Sequence, residues 1–277
     1  MAAVTAASDI DVQAKWKAVI VIGALTGLLS GLLGIGGAAI LVPGMTEVLG
    51  ISQHRATGTS LFVIIPTALV SAVIYAMSGQ LDWILAILFS VTAVIGATLG
   101  ARLTARISAR ALRRMFGLFL LFVAIRLLIP GGAGSNTQAV DLFTQNPLIT
   151  AGEGVLGFIA GFLSGLLGIG GGQVLTPGMV FLFDMPQRLA QGISIAFIVP
   201  TALSGAYTHY RRGNVVPSVG LLLIPASVIG GVVGSNFAQR IDPLILRMGF
   251  GVFLIYGSAR MLAPQLVSRL LHRVSGR

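Results

Sequence analysis

One stretch of this chain occurs twice and limits what it can fold into more than any other feature. Ser30-Gly31-Leu32-Leu33-Gly34-Ile35-Gly36-Gly37-Ala38 returns as Ser164-Gly165-Leu166-Leu167-Gly168-Ile169-Gly170-Gly171-Gly172. Each copy runs on to Pro-Gly-Met, at Pro43-Gly44-Met45 and Pro177-Gly178-Met179. Both lie inside apolar sequence. Glycine costs roughly 0.5–1 kcal/mol against alanine in a helix interior, so glycines this dense predict a break in the helix. At membrane depth a break frees backbone N–H groups and the ends of two half-helices, and it survives only where protein or a water-filled cavity covers it.

Composition places these breaks in a membrane. The 277 residues are 55% hydrophobic and only 9% charged, with a mean hydropathy of +0.94. Such values belong to polytopic membrane proteins. The formal charge of +10 does not point to nucleic acid, because Lys and Arg cluster beside apolar runs, the pattern that orients a membrane protein. The absence of cysteine excludes disulfides, thiolate metal sites and thiol catalysis. No cleaved signal peptide is expected, since the start of the chain has neither a basic n-region nor an apolar core.

Apolar runs lie at about 18–33, 37–50, 57–77, 83–101 and 111–129, and again at about 151–167, 171–183, 191–208, 215–235 and 244–263. The second run of each set is too short to cross alone and reads as the returning arm of the broken segment. Aligning Gly27 with Gly161 keeps register without a gap, pairing Pro66-Thr67-Ala68-Leu69 with Pro200-Thr201-Ala202-Leu203 and Gly96-x-x-x-Gly100 with Gly230-x-x-x-Gly234. This is an internal duplication.

The basic residues decide its sense. If each broken segment enters and returns on one side, all of the 18 Lys and Arg except Arg126, Arg188, Arg240 and Arg247 fall on the cytoplasmic side. If it crosses, the basic residues divide evenly and no bias remains. The expected fold is therefore an all-α integral membrane protein of two inverted repeats, each a glycine-broken re-entrant or half-length helical hairpin plus three transmembrane helices. The expected divisions are a polar tail at 1–14, repeat one at 15–130, an external linker at 131–150, repeat two at 151–264 and a basic cytoplasmic tail at 265–277. Both termini are expected in the cytoplasm of a multi-pass protein of the cell (inner) membrane.

The candidate substrate-binding residues follow from the breaks. Gly34, Gly36, Gly37 and Ala38 with Pro43, and Gly168, Gly170, Gly171 and Gly172 with Pro177, would offer backbone amides at a half-helix N-terminus, where unpaired N–H groups and the helix dipole favour an anion. For Gly27, Gly31, Gly161 and Gly165 close helix packing is the lesser alternative. Thr59, Ser60, Gln173, Gln191 and Ser194 are placed to line the site. Thr67 and Thr201 either line it or satisfy carbonyls released by Pro66 and Pro200. The eight carboxylates, Glu153 among them, read as lying in or near connections. With no acid in mid-span, an anionic or neutral substrate fits better than a cation or a carboxylate proton relay. Arg126 and Arg260 read as span-end residues that snorkel, and His209 as an interfacial anchor. No metal spacing is present, and a serine hydrolase is poorly supported because only one half carries a histidine and no second polar group orients it. No cofactor, no catalytic residue and no nucleic-acid partner is expected.

The doubled pattern, Gly168-Ile169-Gly170-Gly171-Gly172…Pro177 and its first copy, resembles the TauE/SafE family of sulfite and organosulfur anion exporters across nearly the whole chain. Ala38 departs from it by replacing the third glycine of the first copy. The resemblance implies a membrane transporter of a small sulfur-containing anion such as sulfite, a sulfonate or sulfoacetate. An anion channel, or a carrier of a non-sulfur molecule, is the alternative.

Overall fold

The computed structural model describes residues 16–103, 109–129, 147–167 and 170–262. Regular structure among them is helical throughout: α1 (Trp16–Leu33), α2 (Ala38–Pro43) continued by a π turn (Gly44–Val48), α3 (Gln53–Met77), α4 (Trp83–Leu103), α5 (Ala109–Leu128), α6 (Pro147–Leu167), α7 (Gly172–Leu182), α8 (Gln187–Arg211), α9 (Pro217–Arg240) and α10 (Pro243–Leu262). Six of them, α1, α3, α4, α8, α9 and α10, are long and apolar enough to cross a membrane. The exposed surface is apolar, with Ile87, Val91 and Ile95 on α4, Leu118, Phe122 and Ile125 on α5, and Leu221, Leu222 and Ile229 on α9. The interior holds Thr26, Ser30, Thr67, Ser71, Gln173, Gln191, Ser194, Ser227 and Ser235. Apolar outside and hydroxyl-rich inside is the arrangement a lipid solvent selects.

Each broken segment is a hairpin. Gly37 packs on Thr26 and Gly44 on Ile22, so α2 returns along α1. In the second half Gly178 packs on Leu156 and Phe183 on Gly152, so α7 returns along α6. The outgoing arms are not half-length: α1 has 18 residues and α6 has 21. At 1.5 Å per residue these reach about 27 Å and 31 Å, so only the returning arms are short. The first residues of α6 also fall inside the stretch read from sequence as linker; the tails at 1–14 and 265–277 lie outside the described residues.

Helix pairing crosses between the halves. α1 lies against α9 in parallel, with Gly23, Gly27 and Gly31 facing Leu223, Ser227 and Gly231, and with Gly230 and Gly234 facing Ala24 and Leu28. The equivalent pair is α6 with α4, where Gly157 and Gly161 face Phe89 and Ala93, and Gly96 faces Phe158 and Phe162. Glycines let these backbones touch, as in small-xxx-small packing. The remaining equivalents pair with each other. α3 and α8 run antiparallel (Gly58 beside His209, Leu61 beside Gly205, Tyr75 beside Gly192), and so do α5 and α10 (Gly117 beside Leu262, Leu128 beside Gly251). One bundle therefore gathers α1, α2, α3 and α9; the other gathers α6, α7, α8 and α4. The fourth helix of each half, the third long one, has changed places.

Candidate functional site

The two hairpin tips meet in the interior. α1 stops at Leu33, and the chain turns through Gly34, Gly36 and Gly37 with φ of 72°, 79° and 72°. That left-handed backbone is open to glycine at little cost, which is why the residues recur here. The second tip turns at Gly170, with φ of 76°, and α7 begins at Gly172. Gly168 and Ile169 lie outside the described residues.

The Gly34 carbonyl is the meeting point. It accepts a hydrogen bond from Ser194 Oγ at 2.8 Å and from Thr176 Oγ1 at 3.3 Å, both from the other half of the chain. Gly172 lies against the same carbonyl, Gly36 and Gly172 both pack on Ile198, and Gly34 packs on Gln191. Tyr75 completes this edge: its hydroxyl donates to Gly31 O at 2.9 Å and stands 3.2 Å from Gln191 Oε1. Gly34, Gly36, Gly172, Gln191 and Ser194 are thus brought together, with Gly171 one residue away and packed on Phe197. α7 is buried from Gly172 to Val180, so the first N–H groups of this helix, which have no partner inside it, open into protein rather than lipid.

Two side-chain amide donors at the junction are unspent. Gln173, in the first turn of α7, is 4% exposed, and its Nε2 has no hydrogen-bond partner. Gln191 is fully buried, and its Nε2 is likewise unpartnered. Buried amides normally find acceptors, so two idle donors beside a helix N-terminus mark a place where an acceptor fits.

Other candidates serve elsewhere. Gly37 and Ala38 open α2, and Pro43 closes it, on the α1 side of the tip. Pro177 is buried in the middle of α7. Thr59 Oγ1 accepts from the Val216 N–H at 2.9 Å, tying the start of α9 to α3. Ser60 Oγ donates to Thr57 O within its own helix. Thr67 donates to Val63 O and lies 2.8 Å from Ser227 Oγ, while Thr201 donates to Phe197 O and Ile198 O. In both threonines the hydroxyl bonds carbonyls of its own helix near the proline.

Sequence reasoning missed Tyr75 and Thr176. Tyr75 occupies the position equivalent to His209, and Thr176 stands directly before Pro177, so both signals were present. Arg260 does not simply snorkel: its guanidinium pairs with Glu47 in the π turn after α2. The side chain of Arg126 lies outside the described residues. Nor is every acid in a connection. α6 starts earlier than its apolar run, and Glu153 falls in its second turn, fully buried.

A family model described as sulfite exporter TauE/SafE matches residues 3–127 and 154–275. Among curated relatives, the probable membrane transporter protein YunE of Bacillus subtilis is 27% identical over 254 residues, covering 85% of this chain and 93% of its own. YdhB of the same organism, with the same description, is 26% identical and covers 91% and 98%. The probable membrane transporter protein MJ0441 of Methanocaldococcus jannaschii is 27% identical and covers 83% and 88%. No solved structure matches the chain. A match over both halves, together with helices able to cross a membrane several times, makes this multi-pass membrane protein a member of the TauE/SafE sulfite exporter family.

Proposed function

We propose that this protein is an alternating-access carrier of a small sulfur-containing anion, of the sulfite, sulfonate or sulfoacetate type, held where the two hairpin tips meet. The observation that carries the reading is the pair of idle, buried amide donors, Gln173 Nε2 and Gln191 Nε2, at the N-terminus of α7. Tetrahedral or pyramidal oxyanions accept several hydrogen bonds at once, and a helix N-terminus adds its dipole. Among the described residues, no carboxylate stands with these groups to repel the anion.

The antiparallel packing of α3 on α8 and of α5 on α10 supports inverted repeats, since equivalents related by an axis along the membrane normal would run parallel. The moving bodies are the two bundles, α1–α2–α3–α9 and α6–α7–α8–α4, rather than the two sequence halves. They would rock across the α3–α8 contact, exposing the anion to each side in turn. With the interior of a cell negative, the membrane potential pushes a bare anion outward by about 2.3 kcal/mol per charge per 100 mV, which favours export. The distribution of Lys and Arg supports an inner-membrane protein with cytoplasmic termini.

Proteoliposomes loaded with unlabelled anion test the reading. Labelled sulfite uptake should saturate, be accelerated by sulfonate on the opposite side, and be competed by sulfite and sulfonates. Flux without saturation or counter-transport would make the protein a channel. Competition by non-sulfur solutes alone would overturn the substrate class.

A further inference from the structure

Glu153 stands apart from the anion site. Its side chain is 0% exposed, and neither carboxyl oxygen has a hydrogen-bond partner. One turn later Gly157 packs on Phe89 and Thr92 of α4, and one residue earlier Gly152 packs on Phe183 at the end of α7. Helical periodicity then sets Glu153 toward the start of α4, where Leu85, Ala86 and Phe89 are buried. The equivalent residue of the first half is Val19, so the duplicated fold does not require an acid here.

Among the described residues, the surrounding elements offer it no cation. α6 and α7 carry no other titratable residue. The turn before α4 contributes Asp82, a second acid, whose carboxylate accepts the N–H groups of Ile84 and Leu85. The turn after α7 holds Asp184, and Arg188 of α8 directs its guanidinium to the carbonyls of Ala238 and Ile241.

We propose that Glu153 is a proton-binding site and that one proton crosses with each anion. This rests on the carrier reading above. Shutting an ionised carboxylate away from water and from every donor costs far more than shutting away the neutral acid. When α6 parts from α4 inside its own bundle, water reaches the carboxylate and one proton adds to an oxygen. Closing α6 onto α4 seals the acid, and opening on the other side returns the proton to water and leaves the carboxylate. With a monoanion the cycle moves no net charge, so the membrane potential that acts on a bare anion drops out, and the direction of flux is set by the anion gradient together with the pH gradient.

The test uses the full chain in proteoliposomes with labelled methanesulfonate, a permanently ionised monoanion, and the potential clamped to zero with potassium and valinomycin. A one-unit pH gradient, acid outside, should drive accumulation approaching about tenfold in the wild type, the ratio one coupled proton sustains. Glu153→Gln should keep anion exchange at equal pH and lose that accumulation. Accumulation by E153Q equal to wild type, or exchange without any pH response in wild type, would overturn the proposal. Absence of exchange for every sulfonate defeats the substrate reading alone, and an infrared measurement then still judges Glu153. Purified wild type at neutral pH should show a protonated carboxylic C=O band missing from E153Q; a wild type without it sinks the idea. If E153Q does not insert, Glu153→Asp should shift that band instead.

Discussion

The two hairpins share an outline, though Gly37 is left-handed at φ 72° where its equivalent Gly171 has φ −70°, and they divide the chemistry unequally. At the first tip three glycines in left-handed conformation deliver one carbonyl, that of Gly34, and little else. At the second, Gln173 and Thr176 stand where the first half has Ala39 and Val42. The clearest contrast is between Ser60 and Ser194, which occupy the same place in the repeat. Ser60 bonds Thr57 O inside its own helix, whereas Ser194 reaches across to Gly34 O. Duplication preserved the bend, while the polar groups around it became specialised. One half presents an acceptor and the other presents donors.

Packing within the two bundles should remain symmetric even though the site is not. A leucine at Gly27 meets the Ser227 carbonyl and one at Gly161 meets the Ala93 carbonyl, backbone that cannot step aside. Gly27→Leu and Gly161→Leu should therefore be equally damaging, each abolishing a monodisperse peak on size exclusion after detergent extraction. Survival of one but not the other would break the equivalence of α1–α9 with α6–α4.

The serine pair probes the asymmetry directly. Ser194→Ala should lower anion transport about tenfold in proteoliposomes, the loss expected when a buried carbonyl partner is removed at the binding junction. Ser60→Ala should leave it within about twofold, since its bond is local. Equal effects would return the two tips to equal standing. Gln173→Leu should raise the half-saturating anion concentration several-fold with little change in thermal stability, because the Nε2 it deletes bonds nothing in the protein.

Smaller effects belong to the supports. Tyr75→Phe removes the hydroxyl bonded to Gly31 O and should lower stability by about 1 kcal/mol, read as a fall of a few degrees in Tm. Arg260→Ala breaks the pair with Glu47, which is partly open to solvent; its cost should be about 1 kcal/mol or less and should shrink in high salt.

The breaks were legible because only glycine occupies that backbone freely, and its density at Gly34, Gly36 and Gly37 has no other economical explanation. The six long helices were legible from hydropathy. The exchange of α4 and α9 between bundles was not. Gly96-x-x-x-Gly100 and Gly230-x-x-x-Gly234 announce a close approach without naming the partner. Nor could the chain separate Ser60 from Ser194, since both are serines at one repeat position and their difference lies in what stands opposite. Glu153 was read as belonging to a connection because it stands at the edge of its apolar run, whereas α6 begins at Pro147 and α4 and α7 close over the acid.

The exchanged helices carry a consequence for origins. Severed between α5 and α6, each fragment would display a glycine-floored furrow cut to receive a helix it no longer owns. A single-copy ancestor built this way would have had no finished interior until it met its twin. Pairing would then have come before fusion, and joining the copies end to end made an existing partnership permanent.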